Sequence, residues 1–392
     1  MPDVPFEISE YRDRARRVRE EMARRDIDVL LVTSAPNTTY LSGFESIWYP
    51  PRAPVGVVVT RDSEDLVFCD YERHQNHVST LAHFDDAIFY SYTTAIETIA
   101  SEFQRRGWCD GTIGVEYWSI NPGPPLLREV ADALAGRGAK VVAGDWVVNR
   151  VRAVKSPAEL ERVRRASQIA DDAFRQVLAE IRLGMTELQV SARVDLAMAE
   201  RGGEPPAIRT MISAGPEVWC RTHGAPGRRP VERGDIMYFD TSGVVDRYHV
   251  DLCRTISIGT DHDEVRGILD VTRGSVDAVI EAVKPGDPLD VAQQVAEEYV
   301  FSRFPRERVW WVGGYALGIA LPPDWVGHTY LSNDAFEPFT WEPGYVTNYE
   351  NILYDRDRHF TASYMETLLM TETGIEVLST VPRTLHVAPC GS

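Results

Sequence analysis

The sequence predicts an α/β domain over residues 1–152 followed by an α+β domain over residues 153–392. Three observations support this division. The chain has 392 residues, which favours two domains over one. Short apolar runs alternate with helical patterns as far as Val148, as in α/β domains. Beyond Arg150 a long amphipathic helix begins, and the pattern changes to helix pairs around strand hairpins.

The first domain is predicted from its alternating helix and strand patterns. Residues 9–25 place apolar side chains at helical spacing, and Ser9 can cap the helix. Residues 28–33 and 55–60 are short apolar runs, the second rich in β-branched residues, which is typical of strands. We therefore expect a sheet with helices packed against it.

The second domain is predicted from its helix boundaries. Ser156 is a good N-cap and Pro157 suits the first position of a helix, which we expect to end before Gly184. Thr186 and Gln189 form a capping box that opens the next helix. Residues 180–188 resemble residues 281–289, and each segment joins two helices, which suggests an internal pseudo-two-fold axis.

Composition excludes several classes of function. A formal net charge of −18 argues against binding to nucleic acid or to anionic lipid. The chain has no apolar run of membrane-spanning length and no signal peptide pattern at its start. Its five cysteines are scattered, so we expect neither a disulfide framework nor a structural zinc site. We expect a cytoplasmic protein that acts on a small molecule.

Two aspartates in residues 231–255 are the first candidates for chemistry. Strands are predicted over 236–241 and 248–255, and a hairpin would bring Asp240 near Asp251. Because buried carboxylates are costly, the pair needs a cation, a shared proton or hydrogen-bond donors. The alternative is that each aspartate caps a turn or pairs with Arg247 or Arg254.

The wider pattern resembles the creatinase/prolidase family, the M24-type proteins with the pita-bread fold. Residues 240–255 are similar to its D-x-G-x5-Y-x-x-D-x-x-R-T motif, with Ser242 in place of the glycine. Residues 222–235 resemble the family segment that carries an active-site histidine, which is His223 here. Residues 343–354 resemble a second family segment, whose glutamate is Glu350 here. Residues 36–43 and 152–157 also match. The resemblance implies a pita-bread catalytic domain and a homodimer.

The resemblance also implies a set of metal ligands that this sequence keeps only in part. Peptidases of the family bind two divalent metals through Asp, Asp, His, Glu and Glu. Asp240, Asp251 and Glu350 match, Tyr315 stands at the histidine position, and Met365 at the last glutamate position, one residue before Glu366. A shift of one residue on a strand reverses the side chain. The cofactor is therefore left open between two alternatives: none, or Mn, Zn, Co or Fe on the three matching acids and Glu366.

Residues 314–325 look most like the non-peptidase members similar to ectoine hydrolase, through the pattern G-Y-x-x-G-x-x-x-P-P-D-W. The chain departs from ectoine hydrolase at all three matching acids, so the resemblance does not imply the same substrate. It implies three catalytic residues. His223 is expected to act as general acid and base, Asp240 as nucleophile or metal ligand, and Glu350 as partner of a cationic substrate or a metal.

Further residues are expected to bind substrate. They are Tyr315, Asp251, Trp325, Glu366 and Arg52. Arg52 is included because its loop, in homodimers of the family, reaches toward the partner's active site. Several tryptophans could form a cage for a small cation, although a core or interface role is the commoner one for aromatic residues. His249 and His328 are expected at a turn or a strand edge.

The sequence leaves four functions open. The first is a hydrolase that cleaves a C–N bond in a small cyclic or cationic metabolite. The second is a metal-dependent Xaa-Pro dipeptidase or aminopeptidase with an altered ligand set. The third is a lyase acting on a sulfonium or betaine compound. The fourth is an inactive binding protein, which the retained histidine and three acids argue against.

Overall fold

The computed structural model describes residues 2–50, 52–120, 122–327 and 338–389. The chain divides into two compact units, Met1–Arg152 and Ala153–Ser392. In the described part of the chain, no helix is both long and apolar enough to span a membrane.

The first unit contains a six-stranded mixed sheet with the strand order β4-β3-β2-β1-β5-β6. The central strand β1 pairs antiparallel with β2 and parallel with β5, and β5 in turn pairs parallel with β6. The strands are β1 Val29–Val32, β2 Gly56–Thr60, β3 Leu66–Tyr71, β4 Asp86–Tyr90, β5 Thr112–Val115 and β6 Lys140–Ala143. Their β-branched and aliphatic residues form the core of the unit.

Helices alternate with these strands, as the sequence predicts. They are α1 Ile8–Arg24, α2 Ala35–Ser42, α3 Gln75–Leu81, α4 Ala95–Arg105, α5 Pro124–Ala135 and α6 Val147–Ala153. The first helix begins one residue earlier than expected, with Glu7 at the N-cap. Ser9 therefore lies in the first turn instead of capping the helix.

The second unit contains an eight-stranded sheet, ordered β12-β13-β14-β11-β8-β7, in which β15 adds to β14 and β16 to β11. Its strands are β7 Met211–Ala214, β8 Ile236–Thr241, β11 Leu252–Ile258, β12 Val309–Gly313, β13 Val346–Asp355, β14 Phe360–Thr371, β15 Gly374–Val377 and β16 His386–Ala388. The short strands β9 Val244–Val245 and β10 Tyr248–His249 form a separate hairpin. The expected strand over 248–255 is thus interrupted before Leu252, because β10 pairs with β9 and β11 with β8.

Two helix pairs pack with this sheet: α7 Pro157–Glu180 with α8 Glu187–Ala199, and α9 Asp263–Ala282 with α10 Asp290–Phe301. The predicted capping boxes at Ser156 and Thr186 are both present. The connections inside the two pairs are alike. Gly184 and Gly286 each adopt a positive φ, +84° and +93°, and each donates its backbone N–H to a neighbouring carbonyl. The internal repeat is therefore visible in the fold.

Candidate active site

One row of directly opposed residues crosses five strands of the large sheet. Asp240 lies opposite Cys253, Cys253 opposite Met365, Met365 opposite Glu350, and Glu350 opposite Gly313. Directly opposed residues of antiparallel strands point to the same face of a sheet. The row therefore places two of the predicted acids, Asp240 and Glu350, on one face, with a thiol and a thioether between them.

The third acid, Asp251, lies next to Asp240. It precedes Cys253 by two residues, and when one of the two carboxyl groups holds a proton they share a hydrogen bond. The Tyr238 hydroxyl donates to Asp240 Oδ2 at 2.7 Å. Oxygen Oδ1 of each aspartate is buried and receives no hydrogen bond from any residue that the structure describes. The pair thus has unused acceptor capacity that faces the site.

A chain of hydrogen bonds holds Asp251 from the other side. The Asn348 side-chain amide donates through Nδ2 to Asp251 Oδ2 at 2.8 Å, and its oxygen accepts the backbone N–H of Tyr315, also at 2.8 Å. The Tyr315 hydroxyl accepts the indole N–H of Trp325 at 3.0 Å. Tyr315 and Trp325, both predicted to bind substrate, are therefore linked to each other and to the acids.

Among the described residues, no cationic side chain pairs directly with the three acids. Burial raises the pKa of Asp240 and of Glu350 well above the ordinary range, and repulsion from Asp251 adds to both. Burial also raises the pKa of Asp251, to about 6, although hydrogen bonding from Asn348 opposes this. The site therefore favours protons or a bound cation.

Glu366 does not join this group. It lies opposite Tyr349 on β13, one residue beyond the Met365–Glu350 pair, so its side chain points to the other face of the sheet. There it pairs with Arg254, whose Nη2 donates to Glu366 Oε1 at 2.7 Å, and both side chains are buried. The expectation that Glu366 binds substrate or metal has no support in this geometry. Its carboxylate is the partner of a buried arginine.

The two arginines considered as partners of the aspartate pair have other partners. Arg254 pairs with Glu366, and Arg247 lies 3.4 Å from Glu204. The alternative in which Arg247 or Arg254 neutralises Asp240 or Asp251 by a direct ion pair is therefore absent from the described structure. Arg254 acts on Asp251 only through its charge, which lowers the pKa of that carboxyl, so bound protons or a cation from outside the chain are left to balance the rest.

His223 lies outside the cluster of acids. It follows a short helical turn over Val218–Cys220, is exposed, and packs edge-on against the Trp310 ring, with ring centroids 4.7 Å apart. Among the described residues, no side-chain hydrogen bond joins it to the three acids. Trp310 is on β12, next to the strand that carries Glu350. The structure thus brings together the three acids, but not His223, of the four residues expected to converge. The role of His223 as general acid and base is a proposal.

Arg52 and the two less certain histidines occupy different settings. Arg52 is exposed in the first unit. His249 is on β10, fully buried, where its Nδ1 donates to the Arg247 carbonyl and its Nε2 accepts the Ala207 N–H. Burial lowers its pKa to about 3, so it stays neutral. His328 lies outside the described residues.

The donor set does not fit the two-metal centre of the peptidases. Two of the five ligand positions hold Tyr315, whose hydroxyl has a pKa raised well above normal by burial, and Met365, a weak ligand. No group of three or more His, Cys, Asp and Glu side chains in the described ranges is arranged to hold a metal ion. The Oδ1 atoms of Asp240 and Asp251, which have no hydrogen-bond partner among the described residues, can still accept hydrogen bonds from a cation of another kind.

Family profiles cover most of the chain. The profile of metallopeptidase family M24 matches residues 161–372, and the creatinase/prolidase N-terminal domain matches residues 14–154. The chain belongs to the M24 family. This membership confirms the family resemblance, the pita-bread fold and the prediction of a hydrolase that acts on C–N bonds.

Individual M24 proteins similar to this chain have different activities. Ectoine hydrolase of Halomonas elongata is 27% identical over 421 residues and covers 98% of both chains. A Xaa-Pro dipeptidase of Pyrococcus horikoshii is 25% identical over 95% of this chain and 98% of its own. The X-Pro aminopeptidase structure of Thermotoga maritima aligns with a TM-score of 0.80 at 22% identity, over 95% of this chain and 99% of that one. The chain is thus similar both to an ectoine hydrolase and to Xaa-Pro peptidases.

Two side chains at the M24 site were missed in the sequence. They are Tyr238 and Asn348, which hydrogen-bond to Asp240 and Asp251. Each precedes a predicted acid of its own strand by two residues, so it shares that acid's face. The period of two along a strand is the signal that could have identified both.

Proposed function

We propose that this M24 protein hydrolyses a C–N bond in a small cyclic or cationic metabolite. The observation that carries the proposal is the set of three buried acids, Asp240, Asp251 and Glu350, without an ion pair among the described residues. A cationic substrate would supply the missing charge and lower the pKa of all three carboxyl groups. The substrate would therefore ionise the groups that act on it.

In this proposal Asp240 is the nucleophile. Its carboxylate attacks the carbon of the C–N bond, a C–O bond forms, and the nitrogen leaves with a proton donated by His223. His223 then takes a proton from the water that releases the covalent intermediate. Glu350 faces the positive charge of the substrate. Tyr315 and Trp325 border the site and, with Asp251, are proposed to bind the substrate, and Arg52 is proposed as a further contact.

The first experiment compares isosteric variants at the acids. Asp240→Asn and Glu350→Gln should each lower kcat by about 100-fold or more on ectoine, creatine or a related substrate. Asp357→Asn, which changes an 83% exposed carboxylate of the same unit, is the matched control and should leave kcat unchanged. Full activity in both site variants would refute the assignment.

A Xaa-Pro peptidase is the second candidate, because Asp240, Asp251 and Glu350 match peptidase ligands in sequence and share one site. The two candidates respond differently to metal. A C–N hydrolase of the proposed kind keeps its activity after dialysis against a chelator. A peptidase loses cleavage of a Xaa-Pro dipeptide on chelation and recovers it with Mn²⁺, Zn²⁺ or Co²⁺. The second result would replace the first proposal.

We also propose that the protein is a cytoplasmic homodimer. The described cysteines, Cys69, Cys109, Cys220 and Cys253, are all free thiols, which suits a reducing compartment. The homodimer is suggested by the family, in which a loop of one subunit approaches the site of the other. Light scattering on the purified chain tests it, and a monomer that is fully active would contradict it.

A further inference from the structure

Asn348 is the residue of the site to which neither the sequence motifs nor the proposed function gives a role. It is fully buried on β13 and precedes Glu350 by two residues, so both side chains point to the same face of the sheet. A fully buried amide must satisfy its hydrogen bonds with neighbouring protein groups. Its partners therefore show what the residue does.

The orientation of the amide is determined by the backbone of Tyr315. The Tyr315 N–H donates to the side-chain oxygen of Asn348 at 2.8 Å, and the Asn348 backbone N–H donates to the Tyr315 carbonyl at 3.0 Å. A backbone N–H can only donate, so the atom that receives it must be the oxygen of the amide. The NH₂ group is thereby directed to the opposite side, toward the acids.

The NH₂ group has two hydrogens to donate. One hydrogen is donated to Asp251 Oδ2 at 2.8 Å. Glu350 follows Asn348 by two residues on β13, so its carboxyl group lies on the same face of the sheet as the amide. One neutral group is thus bonded to Asp251, the residue before β11, and shares a face of β13 with Glu350.

We propose that Asn348 is a positioning residue that holds Asp251 and Glu350 in one site by donating one N–H to each. Without a donor between them, two buried carboxylates repel and need a cation. The amide reduces this need while it adds no charge of its own. The kinetic test of this inference rests on the proposed function, whereas a second test, by thermal unfolding, does not.

Three variants at the position separate positioning from packing. Asn348→Asp keeps the size and shape but exchanges the NH₂ donor for an acceptor. Asn348→Leu removes both donors and places a larger apolar side chain at the position, and Asn348→Thr retains one hydroxyl donor. We expect kcat to fall by about 100-fold in the first, by about 10-fold or more in the second, and least in the third. The KM for a cationic substrate should change little in Asn348→Leu and decrease in Asn348→Asp, which adds negative charge.

A role in packing alone predicts the opposite order, because the aspartate variant is nearly isosteric and the leucine variant is not. Wild-type kcat in Asn348→Asp would therefore overturn the proposal. A higher kcat in Asn348→Thr than in a further variant, Asn348→Val, supports it, because these two side chains have nearly the same shape and differ in the hydroxyl donor.

The second measurement needs no turnover. The midpoint of thermal unfolding is recorded for the wild-type chain and for Asn348→Asp and Asn348→Leu, with a chelator and with excess MnCl₂. Mn²⁺ should raise the midpoint of the aspartate variant by several degrees more than that of the other two proteins. If the wild type hydrolyses no C–N substrate, the proposed function fails, and the unfolding comparison alone tests the role of Asn348. An equal shift of the midpoint by Mn²⁺ in all three proteins overturns the inference.

Discussion

Asp251→Asn should stabilise the protein at alkaline pH while it abolishes activity. Burial raises the pKa of Asp251 from the ordinary 3.8 to about 6. The unfolded chain therefore releases this proton at lower pH than the folded protein, and rising pH favours unfolding between about pH 4 and 6. Above this window the penalty is complete, and the pKa difference corresponds to about 3 kcal/mol of unfolding free energy.

The asparagine variant has no proton to release and keeps an oxygen that can accept the Asn348 N–H. At about pH 8 it should be more stable than the wild type by about 3 kcal/mol, which corresponds to about 6–12 °C in the unfolding midpoint of a unit of this size. Near pH 4 the two proteins should melt together. The assay is thermal or urea unfolding with a chelator present, alongside kcat.

Asp235→Asn is the matched control with the opposite sign. The Asp235 carboxylate accepts two hydrogen bonds from Arg229, at 2.6 and 2.9 Å, and one from the Glu232 backbone N–H. Its loss should lower the unfolding free energy at about pH 8 by about 1–3 kcal/mol and leave kcat unchanged. If Asp251→Asn melts at or below the wild-type temperature at about pH 8, the claim that the ionised Asp251 carboxylate destabilises the folded protein is refuted.

The remaining predictions concern single positions of the second unit. Met365→Glu adds a fourth acid between Cys253 and Glu350. Mn²⁺ at about 100 times its Kd should therefore raise the unfolding free energy of this variant by about 3 kcal/mol. An equal response of Met365→Gln to Mn²⁺ would contradict the pairing of position 365 with Cys253 and Glu350. Glu366→Gln should keep kcat within about 3-fold, because the side chain faces away from the site; a loss like that of Glu350→Gln would contradict this placement. The pKa of His249 is lowered to about 3, so below about pH 6.5 the unfolded chain binds a proton that the folded protein does not. The unfolding free energy should therefore fall by about 2 kcal/mol at pH 5. Urea unfolding should show a flatter pH dependence in His249→Gln, and an unchanged slope would argue against a neutral buried imidazole.

Local patterns of the sequence predicted much of this protein. The capping residues Ser156 and Thr186 mark helix starts because a side-chain oxygen must accept an N–H that the first turn leaves free. The acids Asp240 and Glu350 stand in motifs whose order identifies the M24 family. Alternation along a strand also determines which neighbours share a face with each acid, so the faces of Tyr238 and Asn348 were within reach of the sequence.

Only the tertiary structure decided which residues of different strands meet. Strand pairing places Met365 in the row with Asp240 and Glu350, and sends Glu366 to Arg254 on the other face. It also joins Asn348 to Asp251, which lie 97 positions apart in the chain. Register between distant strands depends on how both faces of the sheet pack, and a shift of one residue reverses every side chain. A local sequence pattern does not determine the register, because the register depends on the side chains of both paired strands.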